Sequence, residues 1–121
     1  MVLPQPDTDQ ISLAGVLAAL GEETRLAIIA ALDECGTQSM ACRQFLDIAA
    51  KSNLTYHFGK LREAGVIQVE PHGTQRLVSL RRADLDRRFP GLLDSILREA
   101  HLRAALGKDT RMASEGMSSK R

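Results

Sequence analysis

Residues 52–82 change their hydrophobic period partway along, and this change constrains the fold more than any other feature. In the first half, apolar residues recur at i, i+3, i+4 and i+7, which predicts one inward-facing stripe on a helix. The stripe consists of Leu54, His57, Phe58, Leu61 and Ala64. Gly65 predicts a left-handed end to that helix. Two β-favouring runs at 66–69 and 77–80 then flank the turn-forming residues 71–74. A helix, a glycine stop and a hairpin in this order predict a winged helix-turn-helix.

We call residues 52–64 the reading helix, because the residues left on its outer face are polar. They are Ser52, Asn53, Thr55, Tyr56 and Lys60. Such side chains suit a helix in a DNA major groove, where base edges and phosphate oxygens offer both donors and acceptors. A merely solvated face would more often carry Glu and Lys. The sequence therefore predicts double-stranded DNA as a partner.

The net charge of +1 conceals a segregation of charge along the chain. Residues 1–50 carry two basic and seven acidic side chains, a balance of −5, so the remainder carries +6. Within residues 51–82, six cations accompany two anions. A basic excess on the reading helix and hairpin is the expected footprint of a polyanion partner. Chance asymmetry of a solvated surface is the alternative where charge is the only observation.

The 121 residues are enough for one domain with its own core, and the core must be aliphatic because the chain has no Trp and one Tyr. Apolar spacing predicts further helices at about 11–20, 22–34, 39–46 and 83–89, and a last helix just after Pro90. Asp9 is a candidate start for the first helix, and Ser52 is the expected cap of the reading helix. The fold class is mainly α with a β-hairpin wing.

The domain boundaries follow from composition. Residues 1–8 are an N-terminal extension, residues 9–106 form the DNA-binding and dimerisation domain, and residues 107–121 are polar and glycine-rich. That last segment is predicted to be a disordered tail. No apolar run approaches the ~18 residues of a membrane span, and the N-terminus lacks the regions of a signal peptide. These features predict a cytoplasmic protein without a membrane partner.

Residues 20–29, Leu-Gly-Glu-Glu-Thr-Arg-Leu-Ala-Ile-Ile, and residues 61–67, Leu-Arg-Glu-Ala-Gly-Val-Ile, carry a family likeness. With the rest of the reading helix, they resemble the ArsR-type bacterial repressors over about residues 12–106. The resemblance implies a winged helix-turn-helix homodimer that occupies operator DNA and leaves it when an effector, not identified by the sequence, binds. It also implies that the outer face of the reading helix meets the groove, and that His72, Thr74 and Arg76 lie on the wing.

The same resemblance implies that the first and last helices form the dimer interface. The last helix carries an aliphatic stripe made of Leu93, Ile96, Leu97 and Ala100. This stripe extends beyond what a small winged domain needs for its own core. We therefore expect the stripe to form part of the seam between two copies.

Cys35 and Cys42 are the remaining candidate chemistry, and both should be reduced in the cytoplasm. Metal sensors of the family carry a Cys-x-Cys pair near the third helix or an Asp-x-His and His pair on the last helix. Here only Cys42 and His101 stand at those places, so we predict no metal site. The cysteines are open to three roles: inert buried thiols, a redox pair, or part of an unusual metal site.

Two histidines near the proposed interface have alternative roles. His57 lies on the inward stripe, so we interpret it as a hydrogen-bonded packing residue and not as a base reader. His72 could meet a phosphate or be an ordinary exposed turn residue. Enzyme signatures such as a phosphate-binding glycine loop or His-Glu-x-x-His are absent from the sequence, which predicts no catalysis and no cofactor. Two alternatives remain: a thiol-based redox repressor, and a winged helix that binds only proteins.

Overall fold

The computed structural model describes residues 5–35, 40–41, 45 and 50–116. Its elements are a short 3-10 helix at Thr8–Gln10, α1 Leu13–Leu20, α2 Glu23–Glu34, β1 Met40–Ala41, α3 Lys51–Ala64, β2 Ile67–His72, β3 Gln75–Leu80, α4 Arg82–Arg88 and α5 Leu92–Gly116. The predicted fold class, mainly helical with an antiparallel hairpin wing, is confirmed. Over the described residues, none of the helices is both long and apolar enough to cross a membrane.

Side chains cap the first two α-helices. Ser12 Oγ accepts a hydrogen bond from the N–H of Gly15 at 3.0 Å, and Glu22 Oε1 accepts one from the N–H of Arg25 at 3.1 Å. These contacts satisfy donors that have no partner inside the helix. As a result α1 begins after Ser12, whereas Asp9, the start expected from the sequence, belongs to the short 3-10 helix.

The reading helix is α3, and it begins slightly earlier than expected. Ala50 is its N-cap, so Ser52, predicted to be the cap, falls inside the first turn. At the other end, Gly65 has φ 84°, which confirms the predicted left-handed stop. A Cβ on Gly65 would lie only 2.5 Å from Cγ1 of Ile11. A glycine is therefore needed both for the backbone conformation and for the close approach of Ile11.

The hairpin is longer than predicted and its turn is tighter. β2 and β3 pair antiparallel from Ile67 opposite Leu80 to His72 opposite Gln75. Only Gly73 and Thr74 remain in the turn, with Gly73 at φ 65°. Consequently His72, expected in the turn, is the last residue of β2.

The wing belongs to a three-stranded sheet, not to the two-stranded hairpin expected. β1 pairs with β3, Met40 opposite Val78, which gives the strand order β1-β3-β2. Residues 40–41 are thus extended where a short helix over 39–46 was predicted, because so short an apolar run does not distinguish a helix from a strand. Phe45 is buried. The other residues of the predicted helix lie outside the described residues.

The free edge of β2 is covered by the side chain of Gln5. The N–H of Val69 donates to Gln5 Oε1 at 2.9 Å, and Gln5 Nε2 donates to the carbonyl of Val69 at 3.4 Å. The carboxamide thereby imitates a neighbouring strand and blocks an edge that another chain could otherwise pair with. Arg81 Nη1 donates to the carbonyl of Pro6 at 2.7 Å and holds this N-terminal segment beside α4.

The core is aliphatic apart from two phenylalanines. Phe45 and Phe58 meet edge to face, with ring centroids 5.2 Å apart. In α5, Leu93, Leu97 and Ala100 are only 2%, 3% and 2% exposed, within one copy of the chain. Three of the four residues predicted to form the dimer seam are therefore core residues, which the sequence could not show because α2 packs against α5 and covers that face.

The last helix is longer than its composition suggests. Its backbone is helical as far as Gly116, and the disordered tail predicted for residues 107–121 stays a prediction. Residues 117–121 lie outside the described part of the chain. Polar composition excludes a segment from the core but does not prevent it from continuing an existing helix, because the helix is already nucleated by its packed half.

Candidate nucleic-acid interface

The outer face of α3 is open to a partner. Asn53, Thr55, Tyr56 and Lys60 are exposed, whereas Leu54, Phe58 and Leu61 of the inner stripe are buried. The predicted division of this helix into a polar and an apolar face is confirmed. Ser52 lies in the first turn of the same helix, but its side chain is outside the described part.

Tyr56 and Lys60 interact along the exposed face. They are one helical turn apart, and Lys60 Nζ lies 5.6 Å from the centroid of the Tyr56 ring, which is 58% exposed. The ring also meets the His57 ring edge to face, with the centroids 5.3 Å apart. An aromatic ring that contacts both a cation and an imidazole presents its hydroxyl and its apolar edge in a limited set of positions.

His57 faces inward, as the sequence predicted, and joins α3 to α2. Its Nδ1 lies 3.0 Å from Nη1 of Arg25 and 3.9 Å from Oε1 of Glu22. The interpretation of His57 as a hydrogen-bonded packing residue is confirmed by these contacts. Arg25 was not identified from the sequence, since nothing local to residue 25 indicates a partner 32 residues away.

The predicted wing residues His72, Thr74 and Arg76 are all exposed on the hairpin. The strand register separates two of them. Arg76 pairs with Pro71 and falls on the same face as Val69, whereas His72 falls on the opposite face with Glu70. The carboxylate of Glu70 weakens any positive potential on the His72 face, so Arg76 is the better placed cation on the wing.

Two of the six cations counted in residues 51–82 form ion pairs with carboxylates of the same chain. Arg81 Nε donates to Asp84 at 3.0 Å. Arg82 donates to Asp33 at 2.9 Å and to Asp94 at 2.8 Å. Their charges are compensated by carboxylates, so these two arginines drop out of the basic footprint predicted from the sequence. Lys60 of α3 and Arg76 of the wing are cations of that footprint that the structure shows as exposed.

Gly59 is a second residue of this surface for which the sequence predicted no role. It lies in the middle of α3, where a glycine costs about 0.5–1 kcal/mol relative to alanine. A Cβ built there would meet no atom within 4 Å. The fold therefore does not need a glycine at this position. The missing side chain would allow a ligand to approach the backbone of α3 closely here.

The structure describes only one of the two cysteines to which the sequence assigned a possible role. Cys35 is half-buried at the C-terminal end of α2, where its N–H donates to the carbonyl of Leu32 at 3.1 Å. Cys42 lies outside the described residues, so the redox role of the pair stays a prediction. In the described ranges, no three His, Cys, Asp or Glu side chains are grouped so that they could hold a metal ion.

Comparisons with known proteins agree with this geometry. Residues 20–70 match a family described as a helix-turn-helix domain. The chain is 35% identical over 98 residues to the uncharacterized HTH-type transcriptional regulator YceK of Bacillus subtilis (strain 168), covering 79% of this chain and 95% of the relative. An ArsR-like transcriptional regulator from Rhodococcus sp. RHA1 matches with a TM-score of 0.52 and 22% identity, covering 84% of this chain and 87% of that one. At that identity the match speaks for the fold alone.

Proposed function

Because the chain belongs to the helix-turn-helix transcriptional regulators and shares its fold with an ArsR-like regulator, we propose that it acts as a DNA-binding repressor of the ArsR type. In this proposal it occupies a specific operator and is released by an effector or signal. The observation that carries the proposal is the exposed polar face of α3, together with a wing that carries an exposed arginine, Arg76, close to its turn. A solvated helix in a protein-binding module has no need for either feature.

The proposed contacts divide into base reading and phosphate binding. Asn53 has an amide that can pair with both polar atoms on the major-groove edge of adenine, and Tyr56 adds a hydroxyl and an aromatic edge. Thr55 and Ser52 belong to the same face. Lys60 and Arg76 carry charge and suit phosphate oxygens, which fix the position of α3 without reading sequence.

We also propose a homodimer, through residues other than those expected from the sequence. Among the side chains that the structure describes, the large exposed hydrophobics besides Tyr56 are Leu13 and Leu17 of α1 and Leu102 of α5. Leu13 and Leu17 are one helical turn apart and 47% and 49% exposed, and Leu102 is 53% exposed. Apolar side chains on the two helices that the family resemblance assigns to dimerisation support a seam there.

Dimerisation has a consequence for the operator. Two α3 helices related by a two-fold axis would meet half-sites about one helical turn, ~34 Å, apart on a pseudo-palindrome. We further propose a cytoplasmic location and no catalytic activity, in keeping with operator binding as the function. The proposal does not specify which effector or signal releases the protein from DNA. Thiol oxidation at Cys35 and Cys42 is one hypothesis for that signal.

The experiment that tests the proposal is selection of double-stranded DNA from a random library by the purified full-length chain, followed by sequencing. We expect a pseudo-palindrome whose half-sites are centred about 10 base pairs apart. A reporter gene placed behind that sequence should be less active when the protein is present. Recovery of no enriched sequence would contradict operator binding, and a more active reporter would contradict repression.

A further inference from the structure

The junction between α2 and α3 contains a hydrogen bond in which a histidine can act only as an acceptor. Nη1 of Arg25 lies 3.0 Å from Nδ1 of His57. A guanidinium has donors and no acceptor, so Nδ1 must carry a lone pair and the ring proton must be on Nε2. His57 is therefore neutral in this arrangement. We propose that this contact is a proton-sensitive latch: it positions the reading helix, and proton uptake by His57 opens it and weakens DNA binding.

Arg25 is held on three sides, which makes it an effective anchor. Its Nε donates to the carbonyl of Ala19 near the end of α1, and its N–H donates to the Glu22 side chain that caps α2. The guanidinium then reaches His57, whose side chain is only 12% exposed. One arginine thus joins α1, α2 and α3, and it cannot follow His57 without losing its bond to Ala19.

The groups that face His57 decide what protonation would do. From α2 these are Arg25 and Glu22, and from α3 itself the Tyr56 ring, 5.3 Å away, with Lys60 beyond it. A proton on Nδ1 would place two donors and two positive charges 3.0 Å apart. The other polar group near Nδ1 is Oε1 of Glu22, at 3.9 Å, which already accepts the N–H of Arg25.

Among the residues that the structure describes, a protonated His57 gains a hydrogen-bond acceptor for Nδ1 only by exchanging partners. The Arg25 guanidinium must move away from Nδ1, and the His57 ring must move towards Glu22. A hydrogen bond from His57 to Glu22 then competes with the one by which Glu22 caps α2. Tyr56 is the preceding residue of the same helix, and its ring rests against His57. The movement therefore displaces a side chain on the exposed face of α3, where the proposed base contacts are made. His57 and Arg25 are positioning residues in this scheme, since neither is exposed towards DNA.

The two other histidines supply internal controls. His72 is exposed on the wing, where a proton would add positive charge close to DNA and strengthen binding. His101 lies 2.8 Å from Asp33 and 3.7 Å from Glu34, two carboxylates that accommodate a proton. Of the contacts given by the described part of the chain, the one between a histidine and a cation is that of His57 with Arg25. Weakening of DNA binding by acid is thus expected from His57 alone.

The latch rests on the proposed operator binding, so its test needs one readout with DNA and one without. The first is titration of the selected operator at constant salt, at about pH 8 and about pH 5.8, which brackets the range in which imidazole titrates. The wild type should lose about five- to tenfold in affinity at the lower pH, the order expected for one lost hydrogen bond. His57→Gln keeps an acceptor for Arg25 but takes up no proton, so it should bind as the wild type does at about pH 8 and show no loss on acidification.

His72→Gln is the matched control and should lose at least as much affinity on acidification as the wild type, because it lacks the wing proton that would partly offset the loss. An equal loss in His57→Gln and in the wild type would overturn the latch, as would a wild-type affinity that does not fall with pH.

The readout without DNA is the protonation of the His57 ring, followed by ¹⁵N NMR of the full-length chain. At about pH 8 the Nδ1 resonance should be that of an unprotonated nitrogen. The protection of the α3 amides against hydrogen exchange, corrected for the intrinsic exchange rate at each pH, should fall on acidification in the wild type but not in His57→Gln. A protonated Nδ1 at that pH would refute the latch. If the wild type binds no DNA at either pH, operator binding fails while these two measurements still decide the latch. The Nδ1 resonance also decides it if His57→Gln does not fold, because that measurement uses the wild type alone.

Discussion

His101 in α5 and Asp33 in α2 meet with Nε2 and Oδ2 2.8 Å apart, and this pair joins the two helices that enclose one side of the core. The second oxygen of Asp33 accepts a hydrogen bond from Arg82 at 2.9 Å, which adds α4 to the cluster. Burial acts to raise the pKa of Asp33, but the hydrogen bonds from His101 and Arg82 outweigh it, so the pKa of this carboxyl lies below its usual range.

The lowered pKa predicts how stability depends on pH. A carboxyl whose pKa is lower in the folded state stabilises the fold above its unfolded pKa of about 3.9, and this stabilisation is lost as the pH falls through the folded value. Asp33→Asn should therefore lower the free energy of unfolding by about 1–2 kcal/mol at pH 7, measured by urea denaturation. The deficit should shrink towards zero as the pH falls through the lowered folded pKa of Asp33.

Asp94→Asn is the control, because Asp94 also binds Arg82 but its side chain is 63% exposed. It should change stability by less than about 0.5 kcal/mol. A deficit in Asp33→Asn that is the same at all pH values would mean that packing, and not the charge of the carboxylate, is responsible.

The glycine at the end of α3 should be irreplaceable. Gly65→Ala places a Cβ in the left-handed region and 2.5 Å from the buried side chain of Ile11. We expect a loss of about 2–4 kcal/mol, from backbone strain of about 1–2 kcal/mol together with overpacking. Gly73→Ala has the same strain at φ 65° but open space around it, and should lose only about 1 kcal/mol. Equal thermal denaturation midpoints for the two variants would show that Ile11 simply moves aside.

The sequence predicted this region well because its signals are local. The inner stripe of α3, the left-handed Gly65 and the hairpin each depend on residues within a few positions of one another. What failed depends on distant partners. Leu93 and Leu97 were expected in a dimer seam because nothing in the sequence shows that α2 covers them, and β1 pairs with a strand almost 40 positions later.

For the candidate interface, the exposed face of α3 was predictable from the sequence, but the pairing of its cations was not. Exposure of Asn53, Tyr56 and Lys60 follows from helical period, and the structure agrees. The charge count, however, included Arg82, whose partner Asp33 is 49 residues away along the chain. Composition cannot tell a cation that faces a ligand from one that is already paired.

The dimer seam can be separated from the core by two substitutions. Leu17→Glu changes a side chain that is 49% exposed, so one copy should keep its fold while the dimer dissociates. Leu97→Glu places a charge in the core at a residue that is 3% exposed, and should unfold the chain. Sedimentation and circular dichroism measured together distinguish the two outcomes. A Leu17→Glu protein that sediments as an unchanged dimer would remove α1 from the interface.

Base contacts and phosphate contacts should respond differently to mutation. Arg76→Ala ought to weaken binding to all DNA sequences similarly and to lower the salt slope by about one, as one phosphate contact is lost. Asn53→Ala should instead cost about 1–3 kcal/mol at one base position and relax the choice of base there. Competition titrations with operator variants at several salt concentrations measure both effects. The same pattern of loss for the two substitutions would contradict the assignment.

Substitution of Gly59 should raise the stability of the fold and lower its affinity for the operator. Since a Cβ there meets nothing within 4 Å, Gly59→Ala should stabilise the fold by about 0.5–1 kcal/mol through the better helix propensity of alanine. If the DNA backbone approaches α3 at this point, the added methyl should weaken operator affinity by about tenfold, because one displaced contact is worth roughly that factor. Glu63→Ala, exposed one turn further along α3, should not weaken binding, since it removes a negative charge. Urea denaturation and operator titration on the same samples test both halves, and a Gly59→Ala protein that is more stable but binds like the wild type would show that DNA does not approach this glycine.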